Sequence, residues 1–320
     1  QDEPTAGPGL FSQWKVMELA HGAGLKVLLD GQGGDETLAG YRRYLPMRLR
    51  DHLIAGNVGA FARDFTAVAG RLGASHTLAL TLEPWLPVGL LRPLRLRFGQ
   101  GKDRVLSDAL RKLDAPAPPR PPREFPSALL RQQVFDLTRR LLPSLLRYED
   151  RNSMAFSIET RLPFLDYRLV EFALSLPDDE RLRGTTSKSI LRRALADRLP
   201  ATVTARQDKM GFETPTDLWL RGRFAAETRR RLLTDGPLHA WVRPDVMRVE
   251  LEKYLAGRRD IGLQVWRWLS LESWARQYVT RDPRVTEREP DMAIHAGHHR
   301  TYAEVTRDFE RETAGASLAG

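Results

Sequence analysis

The first stretch with a clear pattern is residues 11–20 (FSQWKVMELA), in which apolar side chains recur at near-helical spacing. This spacing predicts a helix, and the HGAG sequence at residues 21–24 predicts its end. Residues 25–29 (LKVLL) then form a short, largely apolar run bounded by glycine, which is typical of a strand buried on both faces. A helix, a turn and such a strand together predict one α/β unit of a parallel sheet.

After Tyr41 the pattern is almost wholly helical, and it predicts no further convincing strand. The predicted helices include residues 61–72, 127–147, 167–176, 187–198 and 263–280. The predicted fold class is therefore α/β and strongly helix-rich, with one parallel-type strand followed mostly by helices. A proline-rich stretch at residues 112–126 predicts an extended loop or linker. We expect one domain over residues 1–280 and a polar C-terminal tail over residues 281–320.

Composition narrows the class of protein. Hydrophobic residues make up 42% and charged residues 28% of the chain, which is ordinary for a globular protein. No apolar run approaches the roughly 20 residues that a membrane-spanning helix needs. The acidic, turn-rich first residues (QDEPTAGPGL) are unlike a signal peptide, and the chain has no cysteine, which excludes disulfides and thiolate sites. We expect a cytoplasmic protein with no membrane partner.

The charge of the chain is basic, with a formal net charge of +9. Only seven of the 50 basic residues are lysine, and the arginines are spread among aspartate and glutamate, which is typical of solvated helix faces. We therefore expect no nucleic-acid partner, although a basic field would suit a polyphosphate substrate. Three histidines lie in the tail, at 295, 298 and 299, and we expect solvated side chains there rather than a metal site, since no carboxylate or cysteine completes a ligand set.

The strand prediction leads directly into DGQGGDE, residues 30–36, which we call the glycine-rich loop. Glycines at positions 31, 33 and 34 allow positive φ and close approach of a ligand, and a helix beginning near Asp35 would offer backbone N–H groups to an anion. Asp35 is equally explained as the N-cap of that helix, with Glu36 favoured in its first turn. Alternatively, Mg²⁺ bridges the carboxylates to a polyphosphate.

Two further segments carry candidate chemistry. Residues 148–166 (YEDRNSMAFSIETRLPFLD), which we call the acceptor segment, crowd charged residues among apolar ones. This pattern fits either a structural ion-pair cluster or a polar pocket for a charged small substrate. In residues 206–215 (RQDKMGFETP), Lys209 lies in a predicted loop, where it is either a solvated charge or a cation that neutralises phosphate as bonds break.

Taken together and in this order, these segments resemble the synthetase domain of glutamine-dependent asparagine synthetases. The resemblance rests on VLLDGQGGDETLAGY, DRNSMAFSIETRLPFLD, and SKSILRRALADRLP followed by RQDKMGFETP, and it spans roughly residues 1–278. It implies a PP-loop ATP pyrophosphatase fold in which ATP and Mg²⁺ activate a carboxylate as an acyl-adenylate. Pyrophosphate then leaves, and ammonia from glutamine attacks the acyl carbon. The implied small-molecule substrates are ATP, ammonia, and aspartate or another carboxylate.

The resemblance also implies roles for individual residues. Asp35 would be a metal ligand. Glu36 would lie beside the pyrophosphate, and Lys209 would neutralise its charge. The nucleotide would be lined by residues at the start of the glycine-rich loop: Asp30, Gly31, Gly33 and Gly34. The acceptor side would be formed by charged residues of the acceptor segment: Arg151, Glu159 and Arg161.

The sequence departs from the family in two respects. The family's phosphate loop and its cysteine-initiated glutaminase domain are absent from the chain, and we expect both to lie upstream of Gln1. The chain is then the C-terminal part of a longer synthetase and makes no AMP by itself. A homodimer is compatible with this interpretation.

The second departure is Gln32, where asparagine synthetases often carry glutamate. An amide has no useful basicity, so Gln32 leaves the identity of the acceptor open. Three alternatives to aspartate amidation follow. The acceptor is another carboxylate, such as a surface-polysaccharide sugar acid or an antibiotic precursor; the chain is a non-catalytic helical binding module; or, more remotely, it binds nucleic acid.

Overall fold

The computed structural model describes residues 1–5, 7–85, 105–112, 119–206, 211 and 214–280. The chain divides into two units, Gln1–Trp274 and Ala275–Gly320. The tail predicted at residues 281–320, with its histidines, lies outside the described residues, as does part of the proline-rich stretch.

Helices dominate the described residues, as the sequence predicts. In chain order, α1 to α16 are Gly9–Gly22, Gly34–Thr37, Leu45–Ile54, Val58–Leu72, Ala74–Leu82, Asp108–Lys112, Ala128–Phe135, Leu142–Met154, Tyr167–Ser175, Asp178–Arg181, Ser189–Ala194, Ala201–Thr204, Thr216–Arg221, Ala225–Leu233, Pro244–Leu255 and Gly262–Tyr278. None of these helices is long and apolar enough to span a membrane.

Two predicted helices are divided or shortened relative to the pattern. The helix expected over residues 127–147 is divided by a π-helical turn at Asp136–Arg140, and Pro143 then lies in the first turn of α8. The turn leaves room for Pro143, which lacks the N–H that a continuous helix needs. The helix expected over residues 187–198 is found only as α11, which begins after Lys188 because that residue adopts a left-handed conformation with a φ of 53°.

The described strands form two small sheets. β1, Val27–Leu29, pairs in parallel with β2, Glu159–Arg161, in the register Val27 to Glu159 and Leu29 to Arg161. β3, Leu182–Arg183, pairs antiparallel with β4, Thr186–Ser187. The prediction of a single strand was therefore wrong. The missed strands are two or three residues long, which is too short to show the alternation of apolar and polar residues that predicts a strand.

The predicted burial of β1 was also wrong. Val27 is 43% exposed and Leu29 is 75% exposed, whereas only Leu28 contributes to a core, beside Ile158 of the acceptor segment. An apolar run indicates that a strand is normally covered on both faces, but it does not show whether the covering layer lies among the described residues. One face of β1 is therefore an exposed apolar surface.

Three apolar clusters hold the described helices together. One includes Tyr44, Leu49 and Leu129, a second joins Met17 of α1 to Phe156 and Ile158, and a third surrounds Trp268. The second cluster bears on function, because it packs α1 and the end of α8 beneath the parallel strands. Helix α8 is fixed further by Asn152, whose amide donates to the Gln13 side chain (2.8 Å).

Candidate functional site

The parallel pairing of β1 with β2 brings the glycine-rich loop and the acceptor segment together. Pairing continues past β1, since the Asp30 N–H donates to the Arg161 carbonyl (3.0 Å). The Asp30 carboxylate turns back onto the N–H of Gly31, which is exposed and has open space around it. Asp30 and Gly31 therefore lie at the carboxyl end of β1, where parallel sheets bind ligands.

The next two glycines of the loop have a packing role. A Cβ at Gly33 would lie 2.7 Å from Leu165 Cγ, and one at Gly34 would lie 3.3 Å from the Phe164 ring. Gly33 also has a φ of 84°, which favours glycine. Both residues are buried under the acceptor segment, so contact with a nucleotide at Gly33 and Gly34 stays a prediction, while their packing against that segment is a finding.

The helix that follows the glycine-rich loop is much shorter than expected. Helix α2 has four residues and begins at Gly34, with Gly33 in the N-cap position, so the interpretation of Asp35 as N-cap was wrong. Asp35 and Glu36 instead occupy the first turn. Four residues supply a weak dipole, and the loop therefore offers an anion little beyond a few N–H groups.

Asp35 meets a cation that the sequence did not single out. Lys188 Nζ lies 2.8 Å from Asp35 Oδ1, and the Lys188 N–H donates to the Leu38 carbonyl (3.1 Å). Gly40 makes room for this pair, since a Cβ there would lie 2.8 Å from Lys188 Cε. The left-handed conformation at Lys188 is the detail that aims this side chain, and no periodic pattern reveals it.

Glu36 lies inside the protein. It is 1% exposed and accepts a hydrogen bond from the Tyr41 hydroxyl (2.6 Å), while Gln133 donates to the Glu36 carbonyl (2.8 Å). Burial and the Glu36 carboxylate together raise the pKa of Tyr41 far above its ordinary value. These contacts give Glu36 a structural role in holding the loop, and its predicted place beside a pyrophosphate remains untested.

The charged residues of the acceptor segment are exposed and paired. Arg161 Nε lies 2.8 Å from Glu159 Oε1 on the open face of β2, and Arg151 pairs with Asp2. The Arg161 guanidinium lowers the pKa of Glu159. Asp166 caps α9 through the Arg168 N–H (2.9 Å). The pairs match the ion-pair interpretation, whereas the substrate-binding roles of Arg151, Glu159 and Arg161 stay predictions.

Glu149 is the buried carboxyl group that the sequence did not single out. It lies on α8, is 1% exposed, and neither carboxyl oxygen makes a hydrogen bond of ordinary geometry. The side chains of Asp30, Gln32 and Thr160 lie against it. Burial, followed by the nearby Asp30 carboxylate, raises the pKa of Glu149 to about 7. In the sequence Glu149 stands next to the exposed Asp150, and nothing in the pattern there predicts that it is buried.

The described residues contain no group of three or more histidine or carboxylate side chains able to hold a metal ion. They fit Mg²⁺ only as a shared ion, with Asp35 as one ligand and the remaining oxygens supplied by phosphate and water. Lys209 lies outside the described residues, so its predicted role is neither supported nor opposed by the geometry.

Fold and site together define a helix-rich α/β protein whose polar loop residues gather at the carboxyl end of a parallel strand pair. The asparagine synthase family model matches residues 1–276, and the chain belongs to that family. No solved structure gives a significant match, so the PP-loop fold remains a prediction.

Relatives in several organisms agree with this assignment. A Mycobacterium tuberculosis protein named "Putative asparagine synthetase [glutamine-hydrolyzing]" is 30% identical over 300 residues, which cover 89% of this chain and 45% of the relative. Asparagine synthetase [glutamine-hydrolyzing] 1 of Bacillus subtilis is 26% identical over 290 residues, covering 85% of this chain and 44% of the relative. The mouse asparagine synthetase is 31% identical over 100 residues, covering 31% of this chain and 16% of the relative. The chain thus spans less than half the length of these relatives.

Proposed function

We propose that the chain carries the acceptor side of an ATP-dependent amide-forming synthetase. In this reaction a carboxylate, with aspartate as the first candidate, is activated by ATP as an acyl-adenylate and pyrophosphate leaves. Ammonia derived from glutamine then forms the amide and releases AMP. The proposal is carried by one observation: the pairing of β1 with β2 places the glycine-rich loop beside the acceptor segment.

The electrostatics of the loop support a nucleotide that arrives with Mg²⁺. Asp35 is the carboxylate that can share the ion with phosphate oxygens, and Lys188 is a cation 2.8 Å from it. When bound, Mg²⁺ supplies charge stabilisation for the leaving pyrophosphate. Lys188 then needs a new anionic partner, and the pyrophosphate provides one. Lys209 is proposed as a second cation for the same leaving group.

The exposed apolar face of β1 supports a further element of the proposal, namely that this chain functions with another polypeptide segment. Val27 and Leu29 lie on one face of a two-stranded sheet, and Leu25 just before β1 is 47% exposed. Large apolar side chains on a strand are normally covered by a neighbouring layer. We propose that a phosphate-binding segment covers this face and completes the nucleotide site.

Two alternatives remain for the experiment to separate. The first is the same chemistry on another carboxylate, such as a surface-polysaccharide sugar acid or an antibiotic precursor. It is favoured by Gln32, whose amide cannot act as a base. The second is a non-catalytic helical module derived from such an enzyme.

The test is aspartate-dependent exchange of labelled pyrophosphate into ATP, together with AMP release on addition of ammonium chloride. We would measure both for the 320-residue chain alone and for the longer polypeptide encoded with any in-frame segment upstream of it. We expect neither activity in the chain alone and both in the longer protein. Robust turnover by the chain alone would refute the need for a second segment.

The remaining outcomes distinguish the alternatives. Exchange that requires a carboxylate other than aspartate would establish the first alternative, and a longer protein that fails to bind Mg·ATP would establish the second. Lys209→Gln is expected to slow exchange. Lys253→Gln serves as its matched control, because that partly exposed lysine lies 3.4 Å from Glu250 on α15, far along the chain from the loop.

A further inference from the structure

Glu149 is a buried carboxyl group that forms no ion pair with any lysine, arginine or histidine among the described residues. It is 1% exposed, and neither of its oxygens makes a hydrogen bond of ordinary geometry, although arginines lie nearby in the sequence. A buried carboxylate without a cationic partner is costly, and such a group in a native protein calls for an explanation. Its place at the carboxyl end of β1, between the two segments of the proposed site, suggests a functional one.

The charged groups around Glu149 leave Asp30 as its principal electrostatic neighbour. On its own helix, Arg147 pairs with Glu3 and Arg151 pairs with Asp2, so both guanidinium groups already have carboxylate partners. On β2, the neighbour is the neutral Thr160, because Glu159 and Arg161 pair with each other on the exposed face.

The remaining neighbours are neutral as well. The loop contributes the amide of Gln32. Three residues further along α8, the Asn152 amide donates to the Gln13 side chain of α1. Two carboxyl groups thus lie against each other, one of them buried and one half-buried.

Such a pair holds one proton more readily than two separate carboxylates would. Burial and the charge of Asp30 raise the pKa of Glu149 to about 7, and the Gln32 amide and Thr160 hydroxyl oppose this shift by favouring the ionised form. The first proton therefore binds to the pair as a unit, near neutral pH. Half-buried Asp30 is the member that a ligand can reach, and Glu149 is the member whose burial raises the proton affinity of the pair.

We propose that Asp30 and Glu149 form a proton-accepting carboxyl pair for the amine that attacks the acyl-adenylate, with Glu149 as the positioning residue. This inference rests on the proposed function. Ammonia forms the new C–N bond, the bond from the acyl carbon to the phosphate oxygen of AMP breaks, and AMP takes that electron pair. One proton of the nitrogen passes to the pair at Asp30 and then to solvent. Gln32 cannot take this proton, because an amide has no useful basicity.

The test separates protonation from catalysis. Infrared difference spectra of the 320-residue chain between about pH 5 and 9 report a protonated carboxyl group directly and require no activity. We expect one carboxyl to titrate near pH 7 in the wild type and to be missing in Glu149→Gln. Asp150→Asn, an exposed neighbour on α8, is the matched control and keeps the signal. A chain in which no carboxyl titrates above about pH 6 would overturn the proposal.

Kinetics on the longer polypeptide then test the role of the pair. Glu149→Gln removes the carboxyl group whose pKa lies near 7, so the acid limb of amide formation shifts to lower pH. We expect amide formation at about pH 7 to fall at least about tenfold while pyrophosphate exchange changes little. An unchanged pH profile with normal exchange would overturn the proposal and leave the proposed function intact. A wild type that exchanges no pyrophosphate would instead refute the proposed function, and the proton-accepting role with it.

Discussion

The most direct consequence of the site for stability concerns Glu149→Gln. The substitution keeps the shape of the side chain and removes its ability to ionise. In the wild type, folding raises the pKa of Glu149 from the ordinary 4.5 to about 7, chiefly because of burial. The folded state therefore binds more protons than the unfolded state between these two pH values. Stability from this group is full below pH 4.5 and is lost as the pH rises through 7.

The magnitude follows from that interval. A difference of about 2.5 pKa units at roughly 1.4 kcal/mol per unit sets a ceiling of about 3.5 kcal/mol for the loss of stability at high pH. Relaxation of the half-buried Asp30 and entry of water reduce this cost, and we expect about 2 kcal/mol. The amide that replaces the carboxyl group does not titrate, so the variant does not lose this stability as the pH rises. The free energy of unfolding of Glu149→Gln, relative to the wild type, should rise by about 2 kcal/mol from about pH 5 to pH 8.

Urea unfolding followed by tryptophan fluorescence at intervals of about one pH unit across this range measures the difference. Any change in packing from the amide adds an offset that is the same at every pH, so only the trend with pH carries the result. Glu159→Gln is the matched control. Its carboxylate is exposed and Arg161 lowers its pKa, so its trend should be small and opposite in sign. Parallel curves for Glu149→Gln and the wild type would refute a buried, proton-binding Glu149.

Three further substitutions test the packing of the loop and the open face of β1. Gly33→Ala should cost about 2 to 3 kcal/mol of unfolding free energy, because a φ of 84° and the Leu165 side chain both oppose a Cβ. Its control is Gly70→Ala, which lies in open space on α4 and should instead stabilise the protein by up to about 1 kcal/mol. Gly40→Ala should displace the ion pair behind it, cost about 1 to 3 kcal/mol, and weaken Mg·ATP binding by the longer polypeptide, as measured by calorimetry. Leu29→Asp, at a side chain 75% exposed, should change the stability of the 320-residue chain by less than about 0.5 kcal/mol, yet prevent association with a covering segment in a pull-down; unchanged association would contradict the role proposed for this face.

The sequence predicted the parts of the fold that depend on local pattern. The helix over residues 11–20 is found as α1, and the strand is found as β1, because helical spacing and apolar runs report local burial preferences. The sequence missed β2, because a strand of three residues is too short to show a period of its own. It also misjudged the burial of β1, because burial depends on layers that sequence position does not reveal.

The same distinction between local pattern and distant contact applies to the residues of the candidate site. Residue types and order were enough to single out the glycine-rich loop and the acceptor segment, which the pairing of β1 with β2 places side by side. The partners within the site were missed because each arises from a contact between distant parts of the chain. Lys188 meets Asp35 across more than a hundred residues, and Glu149 meets Asp30 across a similar separation. Neither residue differs in type from dozens of solvated charges elsewhere in the chain.

Under the proposed function, the two missed residues also explain how carboxylates and a polyphosphate would share one loop. Asp35 has its charge balanced by Lys188, and Glu36 is buried against Tyr41, so neither presents an uncompensated charge to a ligand. The uncompensated charge lies at Asp30 and Glu149, at the other end of the loop. A nucleotide with Mg²⁺ can thus approach Asp35 by exchanging one cation for another. The acidic pair stays free for the step in which a proton, rather than a phosphate, must be taken up.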